Sequence, residues 1–229
     1  MGVVEENLKY IDKKIVLACD EYGRERSEIT LVAISKTQPA ELITEAAGAG
    51  QIYFGENKIQ EAEKKIPQFG DDLVWHMVGH LQTNKVKKAI KLFDIIESVD
   101  SVKLAETISS ECVKADITMP VLLEVNSSGE QSKYGLSPDE IMPVAETINR
   151  LENIELRGLM TVGPFTDDVA AIDNAFEMTR DLYRSLQDKF GSKISVLSMG
   201  MTSDFERAIK FGSTELRIGT AIFGERNYN

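Results

Sequence analysis

The sequence predicts an α/β fold: a single closed (β/α)8 barrel of the TIM type, preceded by one extra helix. Three observations carry this. Short apolar runs begin near residues 31, 52, 73 and 94, a constant step of about 21, and each is followed by a segment with helical spacing. Such alternation implies parallel strands joined by right-handed crossovers. The runs are nearly continuous in apolar residues, as in strands covered on both faces. No linker, composition shift or low-complexity tract divides the 229 residues, so 1–229 reads as one domain. An open doubly wound sheet is the alternative, but it usually stops at fewer strands.

In order, Val4, Leu8, Ile11 and Ile15 recur at helical spacing and predict a covering helix to about Tyr22, ended by Gly23. Residues 30–36, TLVAISK, form the first strand, and Pro39 is pre-set for the first turn of a helix over 39–47 that stops at Gly48. Residues 52–54 are the second strand, with a helix through 66. The third spans 73–78, and Gly79 breaks it before a basic helix over 83–91. The fourth spans 93–99; Ser101 caps a helix to Ala115, and 119–125 is the fifth strand. A polar loop over 127–135 precedes Ser137, Pro138 and Glu140, a capping box with a first-turn proline. Residues 154–160 form the sixth strand, 169–190 a long helix and 194–198 the seventh strand. Ser203 with Glu206 reads as a second capping box for a helix to Phe211, and 215–218 is the eighth strand before a short turn at 221–224.

Bulk composition narrows the function. A net charge of −11 and a pI near 4.8 argue against a nucleic-acid partner, which needs a concentrated excess of Lys and Arg. The one dense basic patch, Lys85, Lys87, Lys88 and Lys91, reads as a solvated helix face. Cys19 and Cys112 are too few for a disulfide framework and fit a reducing compartment. The first residues lack a signal-peptide pattern, and no apolar run approaches the ~18 residues of a membrane span. A soluble, cytoplasmic monomer without membrane contact is expected.

In a barrel the carboxyl ends of all strands face one mouth. Lys36 ends the first strand; Asn57 follows the second, His80 the third and Asn126 the fifth; Met160 and Thr161 end the sixth; Ser198 to Thr202 follow the seventh, and Arg217 to Thr220 the eighth. A lysine held there with its stem among apolar walls loses hydration, and its amine becomes available to attack an aldehyde; a surface lysine is the plainer reading. In the late loops Thr202, Gly219 and Thr220 offer hydroxyls and an approachable backbone, the parts with which barrels grip phosphate. An amine facing a phosphate grip suggests a phosphorylated aldehyde, and pyridoxal 5′-phosphate (PLP) has that layout. Arg217 is placed to meet its ring nitrogen; an arginine cannot accept the ring's proton, so it would keep the ring neutral and a poorer electron sink. His76 and His80 lie four apart with an intervening glycine and no third ligand type, which argues against zinc; His76 reads as a core residue and His80 as a mouth residue.

Six blocks in order, AISKTQP, FGENKIQE, WHMVGHLQTNK, LRGLMTV, LSMGMTSDFERAI and ELRIGTAIFGER, resemble the signature blocks of the pyridoxal phosphate homeostasis proteins, the YggS-like group, over nearly the whole chain. The resemblance implies the barrel of the alanine racemase N-terminal domain. It implies PLP held as a Schiff base on Lys36, phosphate contacts at Thr202, Gly219 and Thr220, and the ring nitrogen at Arg217; Asn57, Ser198 and His80 fall in matching blocks. It further implies a cofactor-holding protein without established turnover, with transient PLP-acceptor enzymes as partners. The alternatives are a low-activity amino-acid racemase and a cofactor-free class I aldolase. The racemase needs a second base, for which Tyr53 and Tyr134 are the tyrosines near predicted mouth loops, and no second domain to supply one is expected. The aldolase has no use for Arg217 beside Gly219 and Thr220.

Overall fold

The computed structural model describes residues 2–130 and 134–225. Eight parallel strands close into a barrel in chain order: β1 Thr30–Ile34, β2 Tyr53–Glu56, β3 Val74–Met77, β4 Ile95–Val99, β5 Met119–Val125, β6 Ile154–Thr161, β7 Val196–Ser198 and β8 Glu215–Ile218. Closure comes from β1 pairing with β8, with Val32 opposite Arg217 and Ala33 opposite Ile218. The crossover helices are α2 Ala40–Gly48, α3 Ile59–Lys65, α4 Val86–Ala89, α5 Val102–Ala115, α6 Ile141–Ile148, α7 Val169–Phe190 and α8 Phe205–Lys210, and α9 Thr220–Phe223 follows β8. The first helix, α1 Val3–Tyr22, buries Val4, Leu8, Ile11 and Ile15 and packs on α2, α8 and α9. Gly23 ends it in the left-handed conformation that glycine adopts without strain.

The main apolar core lies between the strands and the ring of helices, where α5 buries Leu104 and Ile108, and α7 buries Phe176 and Leu186. Each such side chain contributes about 1.5–3 kcal/mol. Inside the barrel, Ile95, Leu122 and Met160 form a separate apolar cluster packed by Val196. Side chains two apart on a strand share a face, so Ile95 and Glu97, Leu122 and Glu124, and Val196 and Ser198 all point inward, apolar first and polar second toward the carboxyl end. The interior is therefore graded, with a dry floor and a charged layer beneath the mouth.

Beyond shifts of one or two residues at strand ends, local detail departs from the sequence reading as follows. β1 stops at Ile34, so Lys36 lies in the turn beyond the strand, next to Thr37 with φ 65°. Pro39 caps α2 in an extended conformation instead of entering its first turn, and the helix starts at Ala40. The basic helix is shorter than 83–91: a 3-10 turn over Thr83–Lys85 leads into the single turn of α4, and Lys88 pairs with Glu63 at 2.6 Å. The second capping box does not form, because buried Asp204 accepts the Met201 N–H at 2.6 Å and shapes the entry to α8, leaving Ser203 exposed before it. The Ser137–Glu140 box does form, and the Ser101 hydroxyl accepts the Leu104 N–H at 3.3 Å. Of the loop read over 127–135, residues 131–133 lie outside the described residues.

Gly158 marks the tightest strand contact. A Cβ there would sit 1.7 Å from the Val196 carbonyl oxygen, next to the irregularity at which β5–β6 pairing skips a residue. Gly158→Ala is expected to push β7 away from β6 and cost about 1–3 kcal/mol, read as a lower urea midpoint at unchanged slope.

Candidate functional site

The barrel mouth holds a cavity of about 530 Å³. Lys36, Asn57, His80, Thr202, Arg217, Gly219 and Thr220 all line it, so residues from both ends of the chain meet as the strand-end argument predicts. Ile34, Val78 and Val162 supply apolar wall, and Gly79, Glu124, Tyr134, Met201 and Ser203 complete it. Ser198 is absent from this lining: it is fully buried beneath Arg217, so it reaches the cavity through that side chain.

Arg217 is 5% exposed and fixed from below. Its guanidinium donates to the Ser198 hydroxyl at 2.6 Å and to the Thr161 carbonyl at 2.7 Å. Ser198 in turn donates to Glu97 Oε2 at 2.7 Å, and Glu97 Oε1 lies 2.6 Å from His76 Nδ1. Glu215 Oε2 stands 3.7 Å from the same nitrogen. Burial opposes charge on Glu97, but the hydrogen bond and charge of His76, with Arg217 and Ser198, outweigh it and hold this carboxyl below its ordinary range. Burial likewise opposes charge on His76, yet Glu215 and Glu97 outweigh it and raise its pKa. Burial and then the charge of Glu97 push Glu215 up to about 8, against the pull of His76. The column thus runs from Arg217 through Ser198 to Glu97, His76 and Glu215, with Glu97 and His76 each favouring the other's charge. Its arginine end meets the cavity.

The loops after β7 and β8 are hydroxyl-rich, and they adjoin the end of β1 instead of facing it across the mouth, because β8 pairs with β1. Thr202, Ser203 and Thr220 are exposed, and the Thr202 hydroxyl accepts the Ala221 N–H at 3.4 Å. Gly200 has φ 100°, and a Cβ there would meet Ala208 Cβ at 2.6 Å, so only glycine lets the chain after β7 turn this sharply. A Cβ on Gly219 would lie 3.2 Å from the Ile34 carbonyl oxygen, which keeps this backbone close to the end of β1.

His80 and Tyr134 form a further wall, their rings stacked at 3.9 Å and 11°, with His80 Nδ1 3.0 Å from Asp100. His76 faces the buried column instead, so the two histidines serve different sites. Tyr53 begins β2, at the amino end of the barrel, with its ring edge-on to His76; it does not line the mouth, and of the two tyrosines singled out only Tyr134 does. The sequence reading also passed over Glu97, Glu124 and Glu215. Each is an acid within a short strand of a barrel covered on its outer face, and that is the signal that could have found them.

The donor set fits a phosphorylated aldehyde such as PLP: a lysine for the carbonyl carbon, an invariantly protonated guanidinium and a hydroxyl-lined glycine turn share one cavity of ligand size. The geometry defines a barrel of the alanine racemase class, and the alanine racemase N-terminal domain family matches residues 24–227. The chain belongs to that family and, within it, to the pyridoxal phosphate homeostasis proteins. It is 42% identical over 237 residues to the pyridoxal phosphate homeostasis protein of Vibrio cholerae, covering all of this chain and 99% of that protein. It is 43% identical to the mouse protein of the same name, over 87% of this chain and 77% of the relative. The solved structure of PipY from Synechococcus elongatus with PLP bound superposes with a TM-score of 0.81 at 32% identity, over 96% of this chain and 100% of that one. An alanine racemase of Clostridium difficile shares the fold at TM-score 0.75 and 18% identity, over 98% of this chain and 58% of the enzyme.

Glu124 gives the site a pH signature. Burial, then repulsion from Asp100, raises its pKa to about 7, and its Oε2 has no hydrogen-bond partner among the described residues. The unfolded chain releases this proton near the ordinary 4.5. The proton-linked stability is therefore full below that value and is lost as pH rises through 7. Glu124→Gln is expected to raise the melting temperature of the cofactor-free protein more at about pH 8 than at about pH 5. An equal effect at both values contradicts the shift.

Proposed function

We propose that this protein binds pyridoxal 5′-phosphate and holds it for cofactor homeostasis. The observation that carries this is the meeting of Lys36, Arg217, Thr202, Gly219 and Thr220 on one cavity, in a chain whose relatives bear that name and include a PLP-bound structure. Bound PLP supplies an electrophilic aldehyde carbon and a conjugated ring that can take up electrons. Lys36 is the residue that would hold the aldehyde carbon covalently, its amine nitrogen replacing the carbonyl oxygen, which leaves as water. Thr202 and Thr220 would donate hydroxyl protons to the phosphate, with the Gly219 backbone close enough to add its N–H.

Arg217 decides what the site does with the ring. Held by Ser198 and Thr161, it offers N–H groups and no acceptor, so it would keep the pyridine nitrogen unprotonated. That favours holding the cofactor over carbanion chemistry. Release to PLP-acceptor enzymes through transient contacts, in a reducing cytoplasm, completes the proposal; both cysteines are buried with their pKa raised by that burial, which suits inert thiols.

A weak racemase is the second reading, and Tyr134 favours it as a phenol that lines the cavity. One measurement tests cofactor binding, and a second decides between the two readings. Added PLP is expected to give a visible absorbance band that Lys36→Ala abolishes, and the α-hydrogen of L-amino acids is expected not to exchange in heavy water. Exchange lost in Tyr134→Phe would establish the racemase, and a wild-type protein without a band would remove PLP altogether.

A further inference from the structure

We infer that Lys65 is a positioning residue for Lys36, acting through a buried ionic network under the turn after β1; the inference rests on the reading of Lys36 as the cofactor-holding amine. Lys65 is the last residue of α3 and is 8% exposed. Its three ammonium protons are all engaged: with the Ser35 carbonyl at 2.7 Å, Glu56 Oε1 at 2.9 Å and Glu61 Oε1 at 2.5 Å.

Both neighbours of Lys36 are tied to this network. On one side the Ser35 hydroxyl donates to Glu56 Oε1 at 2.7 Å, and its carbonyl accepts from Lys65. On the other the Thr37 N–H donates to Glu61 Oε1 at 2.5 Å. Thr37 needs that restraint, because φ 65° places a β-branched residue in the left-handed region. The turn bearing Lys36 is thus fixed at the residue before it and the residue after it, by one cation and two carboxylates.

Stability alone does not explain such a device. Taking Lys65 and Glu56 out of water offsets most of their attraction, and packed apolar residues serve a core as well. Burial leaves Glu56 with its pKa raised despite Lys65, and its Oε2 has no hydrogen-bond partner among the described residues. What the triad supplies is a fixed backbone geometry at the turn, and the residue carried there is the amine at the cavity.

The test compares Glu61→Ala and Lys65→Met with wild type, using PLP itself as the probe. Glu61→Ala frees the Thr37 N–H while leaving the Lys65–Glu56 pair; it is expected to keep the melting temperature of the cofactor-free protein while weakening PLP binding about tenfold and moving the pH midpoint of the visible band. Lys65→Met is expected to act in the same direction and more strongly. Should it fail to fold, the double variant Lys65→Met with Glu56→Gln, which removes both buried charges, takes its place. Variants that bind PLP with wild-type affinity and an unmoved band midpoint overturn the inference, even if their melting temperatures fall. Wild-type protein that takes up no PLP overturns the cofactor reading and this inference together.

Discussion

Everything at the mouth depends on barrel closure between β1 and β8. That pairing sets Val32 beside Arg217 and Ala33 beside Ile218, so a lysine near the start of the chain and a Gly-Thr turn near its end emerge on adjacent strands. No local propensity could bring them together. Closure requires the intervening strands to pair in sequence order, and the helices between them make that possible by covering the outer face. Lys36 itself stands in the turn, beyond the last paired residue, where its side chain can line the cavity without leaving a ladder position.

The second constraint is electrostatic. A barrel interior holding Glu97, His76, Glu215 and Arg217 is stable only if each charge meets an opposite one or gives up its proton. The observed column does both: Glu97 serves His76 and, through Ser198, Arg217, while Glu215 keeps its proton. One consequence is that the guanidinium at the cavity is fixed by buried partners before any ligand arrives, which is the condition for recognition at low reorganisation cost. The apolar floor of Ile95, Leu122 and Met160 lies on the same inward faces and leaves the mouth as the place where polar groups converge.

How much of this was legible follows from the kind of information each feature needs. The 21-residue step of the first four strands, with four further apolar runs read one by one, set out their order, and the rule that strand carboxyl ends share a mouth then brought out Lys36, Asn57, His80, Thr202, Arg217, Gly219 and Thr220. Ser198 sits in the right layer, though its hydroxyl points to Glu97 and Arg217; a one-dimensional reading gives a residue's height in the barrel more readily than its neighbours. Tyr53 went to the mouth on paper because the short second strand was started a residue early and ended two early; the strand in fact runs to Glu56 and leaves Tyr53 at the far end. Lys65 looked like any basic residue in the last turn of a helix, and only tertiary packing shows it buried against Ser35 and Glu56.

The Lys36 amine is the group proposed to join the aldehyde. The most direct measurement is peptide mass spectrometry of protein incubated with pyridoxal 5′-phosphate and then reduced with borohydride. One phosphopyridoxyl adduct is expected, on the peptide carrying Lys36. Adducts scattered over surface lysines, or a single adduct on any other residue, would contradict it.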